Sequence, residues 1–421
     1  PMTALRPDAI SPSPADLSEP APAPAVAGAG ASGGRARSAE RGRVAGRSRP
    51  IGPVVTELRL SAFASHRGAT FPLRPVTLFG GPGGSGKTNV LRAYGALARL
   101  ADGEPLEAVF PDPGACVPEG AVPDAQGRRG FRIGCTADGP AGPVRLDVAV
   151  QTEPTLRIAG ERLTGGGETL LTTALRDPGR STVQAAWHTA DVVPVTRAPL
   201  PGDRLGTALL PLRVAGRTEG QLQVLAAAEQ MVVALRSVFR CEPQPRRMRA
   251  PAPPGADGLR RSCENIAAVL ERVHARSARR RARLVAAVRA GCAGPVTGLD
   301  VERLGDGSLS AAVARGEGRA TPIGRLGDGE LRYLALALVL LTGPGVQAVD
   351  PAGEVPSAVQ PLTVLTDGFD RDLDGRQLRE LLSLAVSIGG AGHLRLLGTV
   401  SESGAAGARE VPGVSMVDLG P

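Results

Sequence analysis

A chain of 421 residues has room for two or three domains, and a 42% hydrophobic fraction is enough for a core, though aromatics are only 2%. The formal charge of +8 favours a polyanionic partner, and the longest apolar run, Tyr333–Leu341, falls well short of a membrane span. Five dispersed cysteines (Cys116, Cys135, Cys241, Cys263 and Cys292) form no Cys-x-x-Cys pair, which argues against a disulfide framework or zinc site and for a reducing cytoplasm.

Residues 1–50 are rich in Pro, Ala, Ser and Gly and poor in large apolar side chains, so they read as a disordered basic tail. Order begins near Pro53. "VVTELRLSAF" and "FPLRPVTLFG" read as two strands, and "KTNVLRAYGALARLA" as a helix with Val90, Leu91, Tyr94, Leu97 and Leu100 on one side. Residues 102–130 read as loop. "FRIGCTA", "VRLDVAVQ" and "TLRIAGERL" read as three short strands, and 165–215 fits no clear pattern.

Two helical stretches follow, Glu219–Phe239 and Cys263–Arg289, separated by a proline-rich segment. The middle of the second, "RSARRRARL", is a charged face that admits DNA as a partner. The last third alternates again. "DVERL" and "LSAAVAR" read as strands, "GELRYLALALVLL" as a buried helix, "PLTVLTD" as a strand, "GRQLRELLSLAV" as a helix and "HLRLLGTV" as a strand. This alternation predicts an α/β class with a mostly parallel sheet. The expected organisation is a tail (1–50), one half of a nucleotide-binding head (51–101), a loop and β-rich insertion (102–215), a helical insertion (216–295) and the second half (296–421).

One stretch carries chemistry. Gly81-Pro82-Gly83-Gly84-Ser85-Gly86-Lys87-Thr88 satisfies G-x-x-x-x-G-K-[ST], preceded by an apolar strand and followed by a helix pattern. Glycines let the loop curl so that backbone N–H groups face phosphate oxygens, and the helix brings its positive end to the same anion. Thr88 offers a hydroxyl to Mg²⁺. Lys87 is the only lysine; every other basic residue is arginine. A compact ammonium on a thin stem reaches the β- and γ-phosphates of ATP in a way that a planar guanidinium does not. Asp367, at the end of the apolar strand in "VLTDGFD", is the matching acid that would hold Mg²⁺ beside the loop.

The segment "LRLSAFASHRGATFPLRPVTLFGGPGGSGKTNVLRAY" resembles the N-terminal half of RecF/SMC-like ATPases, AAA-type relatives of the ABC ATPases, in their single-chain bacterial form. Asn89, directly after Thr88, adds to the likeness. "GRLGDGELRYLALALVLL" is similar to the family's signature stretch, and "RRSCENIAAVLERV" to the segment before it, where an asparagine opens a helix. The resemblance covers roughly 53–100 and 245–402. It implies a P-loop NTPase fold, an ABC/SMC-like head with a mixed sheet carrying inserted β-rich and helical segments. It also implies an ATP-dependent homodimer in which Leu326-Gly327-Asp328-Gly329 of one head caps ATP on the loop of the other. DNA repair or defence, with an unidentified protein partner, is the biology it suggests.

Three departures concern hydrolysis. The family's signature serine falls at Gly327, its water-orienting acid at Gly368 and its switch histidine near Val400. Losing a positioned general base costs about 10²–10⁴ in rate. Asp370 is a stand-in if a tight turn aims it back, which leaves Lys87, Asp367 and Asp370 as the catalytic set. Glu402 is a weaker stand-in, and His66 and His393 read as surface and strand-end residues. Two functions follow: a slow ATPase, or a hydrolysis-deficient switch that signals by dimerising. A P-loop kinase, the third reading, explains neither "LGDGELR" nor the distance from Lys87 to Asp367.

Overall fold

The computed structural model describes residues 52–176, 181–188, 195–255, 258–342 and 361–420. The expected tail over 1–50 lies outside the described residues. β1 (Val54–Phe63) and β2 (His66–Pro72) form a hairpin, and the chain then crosses to another sheet as β3 (Val76–Gly80). The sequence suggested one strand across Phe71–Gly80. Pro72 and Pro75 flank the crossing, and proline supplies no ladder N–H.

After α1 (Lys87–Ala101) and the single turn α2 (Leu106–Val109), six strands meander. They are β4 (Arg129–Asp138), β5 (Val144–Glu153), β6 (Arg157–Gly165), β7 (Glu168–Ala174), β8 (Thr182–His188) and β9 (Val195–Pro201). β4 pairs with β1, so the β-rich segment extends the sheet that the first hairpin begins. The result is one antiparallel sheet of order β2-β1-β4-β5-β6-β7-β8-β9. The stretch 165–215, illegible in sequence, supplies β7 to β9 and the short α3 (Gly206–Leu209). Glu161 of β6 is fully buried and ties the meander to α3. It accepts from the N–H groups of Gly206 and Thr207, both at 2.7 Å, and from the Thr207 hydroxyl. Burial pushes its carboxyl upward against those donors.

α4 (Glu219–Arg236) follows, then β10 (Val238–Arg240) and α5 (Pro245–Met248). The single helix expected over Cys263–Arg289 is two, α6 (Ile266–Arg276) and α7 (Ala278–Gly291). Ser277 between them is extended (φ −158°, ψ 103°), and its hydroxyl accepts from Arg280 N, capping α7. Asn265 stands before α6. Its side chain accepts from Arg260 N and donates to Gly258 O, closing the turn that starts the helix.

β11 (Gly298–Arg303), β12 (Leu309–Gly316) and β13 (Arg319–Pro322) form a small antiparallel sheet. Then come α8 (Asp328–Thr342), β14 (Leu362–Thr366), α9 (Gly375–Gly390), β15 (Leu394–Thr399), α10 (Glu402–Arg409) and β16 (Ser415–Asp418). The order β10-β14-β15-β3-β16 makes a wholly parallel sheet. The protein is thus an α/β P-loop fold in which antiparallel and parallel pairing occupy separate sheets. α1 lies between them, against β1 and α4 on one side and β14 and β15 on the other. One apolar cluster fills the antiparallel side, and a second joins the parallel sheet to α6 through α9. Among the described residues no helix is long and apolar enough to cross a membrane.

Candidate nucleotide site

The register of the parallel sheet builds the site. Thr399 at the end of β15 pairs with Phe79 of β3, and Gly398 pairs with Thr366 of β14. The carboxyl ends of three strands therefore finish level, which is where α/β sheets place ligands. The loop 81–86 leaves β3 there and runs into α1, and Asp367 leaves β14 beside it. A cavity of about 990 Å³ opens over this edge, bounded by Gly81, Lys87, Thr88, Asp367, Arg371 and Ser401. That volume suits a nucleotide.

Two residues separated by 279 positions meet here. The Thr88 hydroxyl donates to Asp367 at 3.1 and 3.2 Å. Both are hard oxygen donors, so the pair fits Mg²⁺, which binds one or two protein oxygens and completes its shell with water and phosphate. Lys87 Nζ donates to the carbonyls of Gly81 (2.5 Å) and Pro82 (2.8 Å), folded over the loop that its own backbone shapes. A phosphate on the loop would exchange those carbonyls for its own oxygens.

The sequence missed several supports. Thr399 is nearly buried. Its hydroxyl donates to Asp367 Oδ1 at 2.6 Å and accepts from Gly368 N at 2.7 Å, so it fixes the Asp367 carboxylate at the cavity edge. The only sequence signal was a hydroxyl at the end of an apolar strand. Val400, where the switch histidine was sought, is buried and apolar. His66 differs from the surface reading: it is buried, with Nε2 3.0 Å from Gly86 O. The carbonyl can only accept, so Nε2 carries the proton. Asn89 Nδ2 donates to Ser65 Oγ at 3.1 Å, bracing the start of α1 against the same hairpin turn. His393 is exposed just before β15.

Asp370 reaches the cavity wall, but its carboxylate is occupied. It accepts from Ser401 N at 3.1 Å and from the Ser401 hydroxyl, at the start of α10. Glu402, on the same wall, is exposed. Gly368 has φ +65°, a conformation that penalises the acid sought there.

Leu326, Gly327, Asp328 and Gly329 do not line the cavity of their own chain. Gly327 and Asp328 are exposed at the start of α8. Arg249 donates to Leu326 O at 2.9 Å and to Asp328 Oδ1 at 2.6 Å, fixing that end. Gly329 has a local reason of its own: a Cβ there would strike the carbonyl of Asp372. Further along α8, Arg332 is almost fully buried. It donates to Pro243 O (2.9 Å), Gly368 O (2.8 Å) and Arg371 O (2.9 Å). Burial, then the nearby Arg371 cation, pulls its pKa down. A charge inside the apolar run "LRYLALALVLL" was the signal that could have found it.

No family model matches this chain, and no curated protein does. Among solved structures it is similar to three SMC heads. One is the SMC head bound to the C-winged helix domain of ScpA, at 13% identity over 82% of this chain and 90% of that one, with a TM-score of 0.43. Another is the SMC head domain from Thermotoga maritima, at 13% over 83% and 90%, with 0.38. A third is the SMC head with an extended coiled coil bound to the C-terminal domain of ScpA derived from Pyrococcus furiosus, at 12% over 84% and 92%, with 0.41.

Proposed function

We propose that the chain is a RecF/SMC-like head that binds MgATP on Gly81–Thr88, dimerises head to head on it and hydrolyses it slowly. The observation that supports this most is the joining of the phosphate loop to Asp367 through Thr88 at the edge of one cavity. The loop's N–H groups and the start of α1 would hold the phosphates. Lys87 would neutralise them, and Thr88 and Asp367 would hold Mg²⁺, which draws charge off the terminal phosphate when bound. Leu326–Gly329, with Gly327 and Asp328 exposed and the stretch braced by Arg249, would meet the partner's nucleotide. A hydrolysis-deficient switch is the second reading. Gly368 in the left-handed region and the engagement of Asp370 by Ser401 favour it. Binding of MgATP, with phosphate release followed in the same sample, tests both. Saturable binding with release about 10²–10⁴ slower than an ATPase with a positioned base supports the proposal; absent binding sinks both readings.

DNA is the proposed macromolecular partner, with a role in repair or defence. Arg279, Arg280, Arg281 and Arg283 are exposed on α7, and none is ion-paired among the described residues. Replacing Arg279, Arg280 and Arg283 with Gln should flatten the log–log salt dependence of duplex binding by about one unit per lost phosphate contact. An unchanged slope excludes this helix as the contact.

A further inference from the structure

We propose that Arg371 contacts the terminal phosphate of the bound nucleotide, a cation standing where a water-activating acid would otherwise work. This rests on the MgATP reading above. Arg371 sits in the turn that follows Asp367, and its guanidinium folds back over Gly368. A Cβ built on Gly368 would lie 3.1 to 3.3 Å from Nη2, Nε and Cζ of that group. The side chain lines the same cavity as Lys87, Thr88 and Asp367. It is exposed, and its guanidinium makes no hydrogen bond or ion pair among the described residues, although Asp370 and Asp372 flank it in sequence. Asp370 is held by Ser401, which leaves Arg371 unmatched from that side.

The five N–H donors of this exposed group face a cavity that also holds a phosphate loop, so they are available to an anion there. The planar fork suits a phosphate bidentately. Position selects which phosphate. Asp367 would hold the metal of bound MgATP, so the residues just past it would lie on the side of the terminal phosphate. From below, Arg332 donates to Gly368 O at 2.8 Å, so two guanidinium groups bracket this residue. A carboxylate base between them would be neutralised, whereas a phosphate oxygen is stabilised. The turn therefore favours holding a triphosphate over activating water against it.

The test is titration of the full chain with MgATP and MgADP, for the wild type, Arg371→Ala and Arg371→Lys. Arg371→Ala should weaken MgATP binding about 10- to 100-fold, the range of one charge-assisted contact, and change MgADP binding by less than about threefold. Arg371→Lys should recover part of the MgATP loss. MgADP affinity also reports that each variant is folded. Unchanged MgATP affinity in Arg371→Ala, or equal losses for both nucleotides, overturns the proposal while the MgATP reading stands. A wild type that binds neither nucleotide overturns both.

Discussion

Lys87→Ala is expected to weaken MgATP binding by on the order of 10²-fold or more and to leave the fold intact. The ammonium's present partners are two loop carbonyls, Gly81 O and Pro82 O, beside an open cavity. Its loss from the free protein therefore exposes acceptors to water and costs little. In the nucleotide complex the same ammonium would face the densest negative charge in the site. Hydrogen bonds to charged groups contribute about 1.5–3 kcal/mol each, and two such bonds account for a loss of this size. Lys87→Arg should not restore binding, because the planar fork needs more room than the curled loop leaves. Calorimetric titration decides it; equal affinities for wild type and Lys87→Ala would show that the loop does not hold the nucleotide.

The second large effect is structural. Arg332→Met should destabilise the protein by about 2–4 kcal/mol, the cost of leaving the carbonyls it serves without a donor. Methionine fills similar space, so packing changes little, but the carbonyls of Pro243 and Arg371 lose their donor, while Gly368 O keeps Arg371 N at 3.1 Å. Each unsatisfied buried carbonyl costs about 1–3 kcal/mol. Part of this is offset, because burial already penalises the guanidinium, as its lowered pKa indicates. Urea unfolding measures the difference; a loss below about 1 kcal/mol would show that water or a neighbour satisfies those carbonyls. Two of the three lie in the turn after Asp367, so weaker Mg²⁺ dependence of nucleotide binding should accompany the loss.

The phosphate loop was legible because its chemistry is local: the strand, glycines, lysine and helix lie in one run of sixteen residues. Asp367 was legible as an acid at the end of an apolar strand, but only beside that loop. Thr399 was not, since its role depends on β15 lying between β3 and β14, a register that no local pattern encodes. The same holds for Arg371, whose meaning comes from folding over Gly368 into the cavity. His66 was misplaced because a lone histidine at a hairpin carries no sign of what packs above it. The two-sheet division was hidden by composition: both sheets draw on Val, Leu and Thr, and the crossing is marked only by Pro72 and Pro75. Gly329 offered a signature motif and a close backbone contact with Asp372 at once, and sequence alone could not separate them. The break at Ser277 had a visible cue, a serine before a basic helical run, outweighed by the apolar spacing on either side.

The proposed function requires that ATP bound at Gly81–Thr88 hold two copies of this chain together. Light scattering of the full chain, followed over time after adding Mg²⁺ with ATP or with ADP, tests this most directly. The expected result is a doubling of mass with ATP that persists for many minutes, no change with ADP, and no change in Lys87→Ala with either nucleotide. A mass that ignores ATP, or a dimer that forms equally with ADP and in Lys87→Ala, would contradict it.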